Sequence, residues 1–251
     1  MAKRILFTLT TLLLICGLNP AFGQQMQPTM LIDTPTAGTL DRGSYDVGLR
    51  LYANGGVLGD ISVGLSSRLM FGISFGGENI IGEGDIHWNP NPGIHLRYRM
   101  IDETIALPAF TVGFNSQGYG AYLKSAKRYT VKSRGFFLVA SKNYAFLGDL
   151  SFHGGVNYSL EKGDGDTDLN FFTGLMKSLN PDLWFIAEYD FAINDNNDNS
   201  LGSGKGYLNA GFRWIFAKRL FVEFVLKNIL ENKKNIPYAN REIKIGYQEH
   251  F

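Results

Sequence analysis

The sequence has little of what several other architectures depend on. Its 251 residues contain one cysteine, Cys16, and eight prolines, and 19% of them are charged, against roughly 25% in ordinary soluble domains. The net charge of +1 gives no basic excess, which argues against a nucleic-acid partner. Beyond residue 23 no run of about 18 apolar residues occurs, so the sequence does not predict a helical membrane protein.

The first 23 residues have the pattern of a secretory signal peptide. Two basic residues, an apolar stretch and a small-residue cleavage motif follow one another: Lys3 and Arg4, residues 5–18, and Ala21-Phe22-Gly23. The apolar stretch is shorter than the roughly 20 residues that span a bilayer. We expect cleavage before Gln24 and export through the inner membrane. The exported chain then has no thiol, so we expect no disulfide bond and no cysteine ligand or nucleophile.

What the sequence does contain is alternation of apolar with polar or glycine residues, repeated from residue 45 to the C-terminus. About twelve such segments occur, most of them near the ten-residue length of a tilted membrane strand. Strands of soluble β-sandwiches are shorter, at about 5–6 residues. Two segments, 131–141 and 169–176, have no clear register. The sequence therefore predicts an all-β fold, a single transmembrane antiparallel β-barrel of about twelve strands.

The connections between these segments alternate in length. Short ones fall at 66–68, 102–104, 180–182 and 217–219, and long ones at 77–92, 116–130, 192–206 and 228–241. Outer-membrane barrels have short periplasmic turns and long external loops. Two connections depart from the pattern, a short external one at 53–56 and a longer turn at 143–149. We expect residues 24–42 to form a periplasmic lead-in and residues 43–251 the barrel.

The C-terminal strand and the positions of the aromatic residues also indicate an outer-membrane protein. Phe251 ends an alternating segment that includes Tyr247, which resembles the signal read by the barrel-assembly machinery, although Glu249 departs from it. Aromatic residues at strand ends are expected to form interface girdles: Tyr52, Trp88, Trp184, Trp214 and Phe216. The alternative is the aromatic core of a soluble β protein. We expect the bacterial outer membrane, with its lipid and the assembly machinery as partners.

Strand parity assigns twelve charged residues to the lumen. The basic ones are Arg50, Arg97, Arg99, Arg213, Lys227 and Lys244, and the acidic ones are Asp46, Asp60, Glu188, Asp190, Glu223 and Glu242. Equal numbers of each sign favour ion pairs that brace the wall over an ion-selective ring. A barrel of about twelve strands has room for a narrow channel or a ligand cavity, and the sequence does not decide whether the lumen is open or plugged.

One strand carries a pattern that resembles an esterase site. Ser151, His153 and Asn157 share a face, as in an outer-membrane phospholipase. Parity points them to the lumen, whereas an acyl substrate arrives from the lipid side. We predict no catalytic residue.

Two loops resemble ligand sites more weakly. Asp164, Asp166 and Asp168 alternate as at the start of a calcium loop, but Leu175 stands where the glutamate is needed. Turn chemistry is the simpler interpretation. The glycine-rich stretch 76–85 precedes no helix, which excludes a phosphate cradle. We predict no metal and no cofactor.

The external loop 116–130 is the better candidate for recognition. It carries Tyr119, Tyr122, Lys124, Lys127 and Arg128. Tyrosine beside basic residues suits stacking on sugars or binding anionic glycans, and long loops on a rigid wall often carry recognition. The alternative is a loop that folds inward and plugs the barrel.

Three blocks of the sequence resemble the YjbH family of outer-membrane proteins. They are Leu31-Ile32-Asp33-Thr34-Pro35-Thr36-Ala37 with Arg42-Gly43-Ser44, residues 92–99 with residues 107–114, and residues 137–143. The resemblance implies a barrel linked to exopolysaccharide or capsule secretion, with polysaccharide or export components as partners. The expected function is a non-enzymatic envelope protein in such export or in envelope assembly. A narrow porin-like channel and a lipid-acting enzyme are the alternatives.

Overall fold

Twelve antiparallel strands close into a barrel in the computed structural model, which describes residues 19–20, 28–234 and 240–251. The wall strands are β1 Ser44–Tyr52, β2 Gly56–Gly64, β3 Leu69–Glu78, β4 Gly93–Ile101, β5 Ala109–Asn115, β6 Gly135–Ala145, β7 Asp149–Tyr158, β8 Asn170–Ser178, β9 Leu183–Asp190, β10 Tyr207–Phe216, β11 Leu220–Lys227 and β12 Asn240–His250. Each pairs with its neighbour in the chain, and β12 returns to β1. The predicted barrel and strand number are confirmed.

Five shorter elements lie outside the wall. Asn19–Pro20 lies opposite Tyr144 and Ala145, and His87–Trp88 extends the pairing of β3. A hairpin of Tyr119–Leu123 and Arg128–Val131 lies between β5 and β6, and a 3-10 helix covers Ile193–Asp195. Among the described residues no helix has the length and apolarity needed to cross a membrane. The expected signal peptide, apart from 19–20, falls outside the described residues, as do 24–27 and 235–239.

The outer face of the wall carries the apolar half of the alternation. Large apolar side chains stand exposed all around the circumference, among them Val47, Leu49, Ile61, Phe71, Ile73, Phe75, Ile94, Leu96, Phe136, Leu138, Phe152, Phe171, Phe212, Phe224, Leu226, Ile243 and Ile245. A soluble protein rarely exposes a continuous apolar surface of this extent. Such a band is what the hydrocarbon of a bilayer requires of a barrel.

Two of the expected girdle aromatics point into the lumen. Trp88, Trp214 and Phe216 are exposed on the outer face, whereas Trp184 is only 7% exposed. Tyr52 is half-buried and its hydroxyl donates to the carbonyl of Gly77 at 2.8 Å. The girdle prediction is wrong for Tyr52 and Trp184 because both occupy inward positions of their strands.

The segments of unclear register now have defined strands. β6 begins four residues later than expected, and the turn before β7 shortens to residues 146–148. In β6 the inward Phe137 and Val139 are as apolar as the outward Phe136 and Leu138, so the alternation disappears. The inward pair packs in a cluster with Ala37, which lies about a hundred residues earlier in the chain. A local pattern cannot reveal that contact.

Residues 28–40, hereafter the plug segment, lie inside the barrel. Leu31, Ile32 and Thr34 are fully buried, and Leu31 and Ile32 pack in a cluster that includes Trp184 and Ile186 on the inner wall. Gly174 makes room for this contact, since a Cβ there would lie 2.3 Å from Leu31 Cδ1. Residues 28–40 of the segment that we expected to be a lead-in outside the barrel therefore lie in the lumen and occupy part of it.

The outer face provides a test of membrane insertion. Ile73 lies in the middle of β3 and is 46% exposed. We expect Ile73→Arg to lower the free energy of unfolding in phospholipid vesicles by about 2–4 kcal/mol, because an arginine at the bilayer midplane is poorly solvated. Leu220→Arg, at the end of β11, is the matched control and should cost about 0–1 kcal/mol. Equal, small effects at both positions would indicate a water-facing surface.

Candidate functional site

The plug segment is a tight hairpin with its tip in the lumen. The N–H of Leu31 donates to the carbonyl of Thr34 at 3.0 Å, and the N–H of Thr36 donates to that of Thr29 at 3.0 Å. Pro35 has no N–H group to satisfy. The hairpin thus closes on itself at residues 31–34, but most of its other polar backbone groups need partners from the wall.

Glu188 of β9 binds the tip of the plug segment. Its carboxylate accepts the N–H groups of Ile32 at 3.1 Å, Asp33 at 2.9 Å and Thr34 at 2.9 Å. The hydroxyl of Thr34 donates to it at 2.8 Å and the amide of Asn209 at 2.8 Å. Consecutive N–H groups of this kind form an anion-binding nest. A lumen acid thus supplies the anion, and its hydrogen bonds are of the stronger, charge-assisted kind.

Cationic side chains of the wall, and one of the loop before β6, bind the carbonyl groups at the tip. Lys244 donates to the carbonyl of Ile32 at 2.5 Å, and Arg134 donates to that of Asp33 at 3.1 Å. Arg213 donates to the carbonyls of Met30 and Leu31 at 3.1 and 3.3 Å. Each contact satisfies an acceptor that would otherwise be buried without a partner, which costs about 1–3 kcal/mol.

The base of the plug segment is bound in the same way. Arg99 donates to the carbonyl of Ala37 at 3.1 Å, where the hydroxyl of Thr111 also donates at 2.8 Å. Arg97 donates to the carbonyls of Thr29 and Thr36. Arginine suits this task because its guanidinium presents several donors in a fixed plane.

Asp33 joins the plug segment to a closed group of buried charges. Its carboxylate pairs with Arg50 at 2.5 Å and with Lys227 at 2.7 Å. The same two cations pair with Glu242 at 2.5 and 3.3 Å. Two cations and two anions therefore neutralise one another, which is the condition under which buried charges are tolerated.

The structure places all twelve predicted lumen charges on the inner face. Seven contact the plug segment directly: Arg50, Arg97, Arg99, Glu188, Arg213, Lys227 and Lys244. Three pair with wall or loop cations, namely Asp190 with Arg134, Glu223 with Arg213 and Glu242 with Arg50. Asp46 and Asp60 line the open part of the lumen. Arg134 was missed because it lies in the segment 131–141, whose register the sequence left unclear, and the strand begins only at Gly135.

The external hairpin folds inward, as the alternative interpretation of this loop proposed. Tyr119 is buried in the lumen, with the guanidinium of Arg50 4.1 Å from its ring centre. Arg128 is fully buried and pairs with Asp164 and with Asp195, the latter at 2.6 Å. Tyr119 and Arg128 are therefore closed to an external glycan. Tyr122 is half-buried against Tyr129, whereas Lys124 and Lys127 are exposed, so their contact with a glycan stays a prediction.

The aspartates resembling a calcium loop hold the external loops together. Asp164 also pairs with Lys132 at 2.8 Å. The carboxylate of Asp166 accepts the N–H of Asn196 at 3.0 Å and the hydroxyl of Ser200 at 3.3 Å. Across the described ranges no group of three His, Cys, Asp or Glu side chains is arranged to hold a metal ion.

The serine–histidine pair forms, but without the expected third member. His153 contacts Ser151 through Nε2 at 3.0 Å and Ser141 through Nδ1 at 2.7 Å. Asn157 instead donates to the carbonyl of Arg134 at 3.0 Å. The hydroxyl of Ser141 accepts the N–H of Ala37 at 2.7 Å. This arrangement positions the plug segment and lacks the orienting group of a hydrolase triad.

The plug segment and the hairpin divide the remaining lumen into two cavities. A vestibule of about 1320 Å³ opens on the short-turn side, where Asp102, Asp182 and Lys218 line it. An outer pocket of about 100 Å³ lies on the long-loop side. Tyr119 lines both cavities. Its contact with Arg50, which pairs with Asp33, therefore forms the partition between them.

Comparison with known proteins shows the fold. No protein-family model and no curated protein matches the chain. The solved KdgM porin is 11% identical with a TM-score of 0.51, over 83% of this chain and 99% of that chain. The NanC porin is 8% identical with a TM-score of 0.44, over 82% and 99%. The COG4313 outer membrane channel from Pseudomonas putida F1 is 15% identical with a TM-score of 0.44, over 88% and 100%. The chain thus has the fold of an outer-membrane barrel.

Loss of the Glu188 charge should loosen the plug segment. Thr39 is buried and suits a cysteine reporter, since the only native cysteine is Cys16. In a Thr39→Cys background we expect Glu188→Gln to raise the maleimide labelling rate about tenfold or more, because hydrogen bonds to a charged group contribute about 1.5–3 kcal/mol. Asp195→Asn is the control, as its carboxylate pairs with Arg128 and Tyr207 and not with the plug segment. Equal rates in both variants would contradict this role of Glu188.

Proposed function

We propose that the chain is a non-enzymatic barrel of the bacterial outer membrane whose lumen is closed by its own N-terminal segment. The main support for this proposal is the binding of the plug segment inside the barrel. Glu188 binds its tip, and wall cations bind its carbonyl groups. The continuous apolar outer face and the KdgM-like fold support the compartment. Seven of the wall charges that were expected to brace the barrel bind this segment. Ion pairs between neighbouring strands also form, between Arg213 and Glu223 and between Arg50 and Glu242.

The same contacts support a gate rather than a permanent closure. The plug segment is joined to the wall through ion pairs and through hydrogen bonds to its backbone, with Leu31 and Ile32 as its main apolar anchor. Polar contacts of this kind can be exchanged for water when the segment moves toward the vestibule. When the plug segment is withdrawn, the barrel becomes an open, porin-like channel, which was the alternative function in the sequence analysis.

The cargo that we propose is a polysaccharide moving through the envelope, with export components as partners. This step is supported by the resemblance of residues 31–37 and 137–143 to the YjbH family. The first of these blocks is the core of the plug segment, and the second contains Val139 and Ser141, which lie against Ala37. The resembling residues are thus the ones that build the closure of the lumen.

Conductance across a planar bilayer tests the gate. We expect the intact protein to show almost no discrete steps and a variant lacking residues 24–40 to show them, because the deletion joins the two cavities. The full-length Asp33→Asn/Glu188→Gln variant should give intermittent steps, and it retains the apolar anchor should the deletion fold poorly. A heat-dependent gel shift confirms that each sample is folded. Steps of the same size and frequency in the intact protein would show that the plug segment closes nothing.

Secretion by a null strain tests the cargo. We expect loss of the gene to reduce surface or secreted polysaccharide several-fold and the wild-type gene to restore it. A version with Lys124→Met and Lys127→Met, both exposed on the long-loop side, should restore it less fully if these residues contact a glycan. Unchanged polysaccharide in the null strain would remove the cargo assignment and leave the gate in place.

A further inference from the structure

The outer pocket has a floor that belongs to the plug segment. Asp33 lies at its base, and Tyr52, Tyr119, Asn228 and Lys233 are among its walls. Its volume of about 100 Å³ is several times the roughly 10–15 Å³ that one water molecule needs. The pocket can therefore hold a small polar ligand together with water.

The carboxylates of this pocket already have partners. Asp33 pairs with Arg50 and Lys227, and Glu242 pairs with the same two cations. Asp190 pairs with Arg134 at 2.5 Å, and Glu78 accepts the amide of Asn54 at 3.1 Å. A cationic ligand would have to displace one of these contacts.

The ammonium group of Lys233 has no such partner. No carboxylate lies within 4 Å of it in the described ranges, and residues 1–18, 21–27 and 235–239 contain no aspartate or glutamate. Lys227 lines the same pocket, so a second ammonium group faces Lys233 there. Burial and the charge of Lys227 lower the pKa of Lys233 to about 8, against the opposing effect of Glu242, Asp33 and Asp195. Lys227 is neutralised by Asp33 and Glu242, so the charge of Lys233 is the one that lacks a carboxylate partner in the described part of the pocket.

Asn228 adds a second group that lacks an acceptor. The residue is 3% exposed, and its Oδ1 accepts the N–H of Asn232 at 2.7 Å. Its Nδ2 is buried and has no hydrogen-bond partner among the described residues. An orphaned buried donor of this kind costs about 1–3 kcal/mol. Asp33 Oδ2 also lacks a hydrogen bond, but the ammonium group of Lys227 lies 2.7 Å from it. The two pocket groups described here that have neither a hydrogen bond nor an ion pair are therefore donors, on Lys233 and on Asn228.

We infer that the outer pocket binds a small oxyanion, of the carboxylate or phosphate type, between the Lys233 ammonium and the Asn228 amide. An oxyanion accepts from both donors and reduces the repulsion between Lys233 and Lys227. Charge-assisted hydrogen bonds to such a ligand are among the stronger ones in proteins.

The site also acts on the plug segment, a step that rests on the proposed function. Lys227 is the cation that this site shares with Asp33, at 2.7 Å. A bound oxyanion attracts Lys227 and repels the Asp33 carboxylate. Both effects favour withdrawal of the plug segment, so an anion on the long-loop side promotes opening.

Calorimetric titration of the detergent-solubilised protein with acetate and with inorganic phosphate tests the site. We expect Lys233→Met to weaken binding at least tenfold and Lys233→Arg to retain it within threefold, because arginine keeps the charge. Lys205→Met, an exposed lysine of the 192–206 loop that does not line the pocket, is the control and should leave binding unchanged. Preference for one ligand over the other distinguishes a carboxylate from a phosphate site. No binding of either at 10 mM, or wild-type affinity in Lys233→Met, would overturn the proposal.

A second measurement needs no variant of the site. Acetate stays ionised between pH 7 and pH 9, so its affinity should fall several-fold over this range as Lys233 loses its proton. Constant affinity would exclude Lys233 as the binding group. Phosphate should also raise maleimide labelling in Thr39→Cys. Binding without such a rise would keep the site and refute its action on the plug segment.

Discussion

Every backbone N–H and C=O group at membrane depth must find a partner within the protein or in the water of the lumen. The wall strands meet this requirement through their neighbours, and the pairing of β12 with β1 leaves no open edge in the described barrel. The plug segment has no strand beside it. Its backbone groups instead form hydrogen bonds with charged side chains. Glu188 accepts from the N–H groups, and wall cations donate to the carbonyl groups. One constraint thus explains both the closed sheet and the charged lumen.

Much of the fold could be predicted because the alternation of a barrel strand is local. The side of each wall charge followed from parity, including the inward Glu188 and Lys244. The plug segment could not be predicted in this way, since residues 31–40 show no period and are buried only by a wall that forms far along the chain. Two residues of β9 could have indicated that an apolar segment enters the lumen. Trp184 and Ile186 lie at inward positions, where a polar lumen offers no apolar partner, and in the structure they pack against Leu31 and Ile32.

The purpose of the wall charges was harder to predict than their position. Equal numbers of acids and bases are compatible with mutual pairing, and Arg213 with Glu223 does pair at 2.5 Å. A count of charges does not show that Arg213 also donates to two backbone carbonyls. Backbone carbonyl groups carry no formal charge, so a count of charged residues does not show that they are the acceptors for the cations of this wall. Only the path of the plug segment reveals them.

Arg50 is the point at which the three parts of the molecule meet. It pairs with Asp33 of the plug segment and with Glu242 of the wall, and its guanidinium lies over the ring of Tyr119 in the external hairpin. Withdrawal of Asp33 leaves Arg50 and Lys227 facing Glu242 alone, an excess of one positive charge in a buried setting. Because an uncompensated buried charge is costly, water, an anion or a shift of the hairpin must accompany that motion. Lys227 makes the same two connections, since it pairs with Asp33 and lies 5.4 Å from the ring centre of Tyr119. Movement of the plug segment would therefore change the contacts of the external hairpin through these two cations.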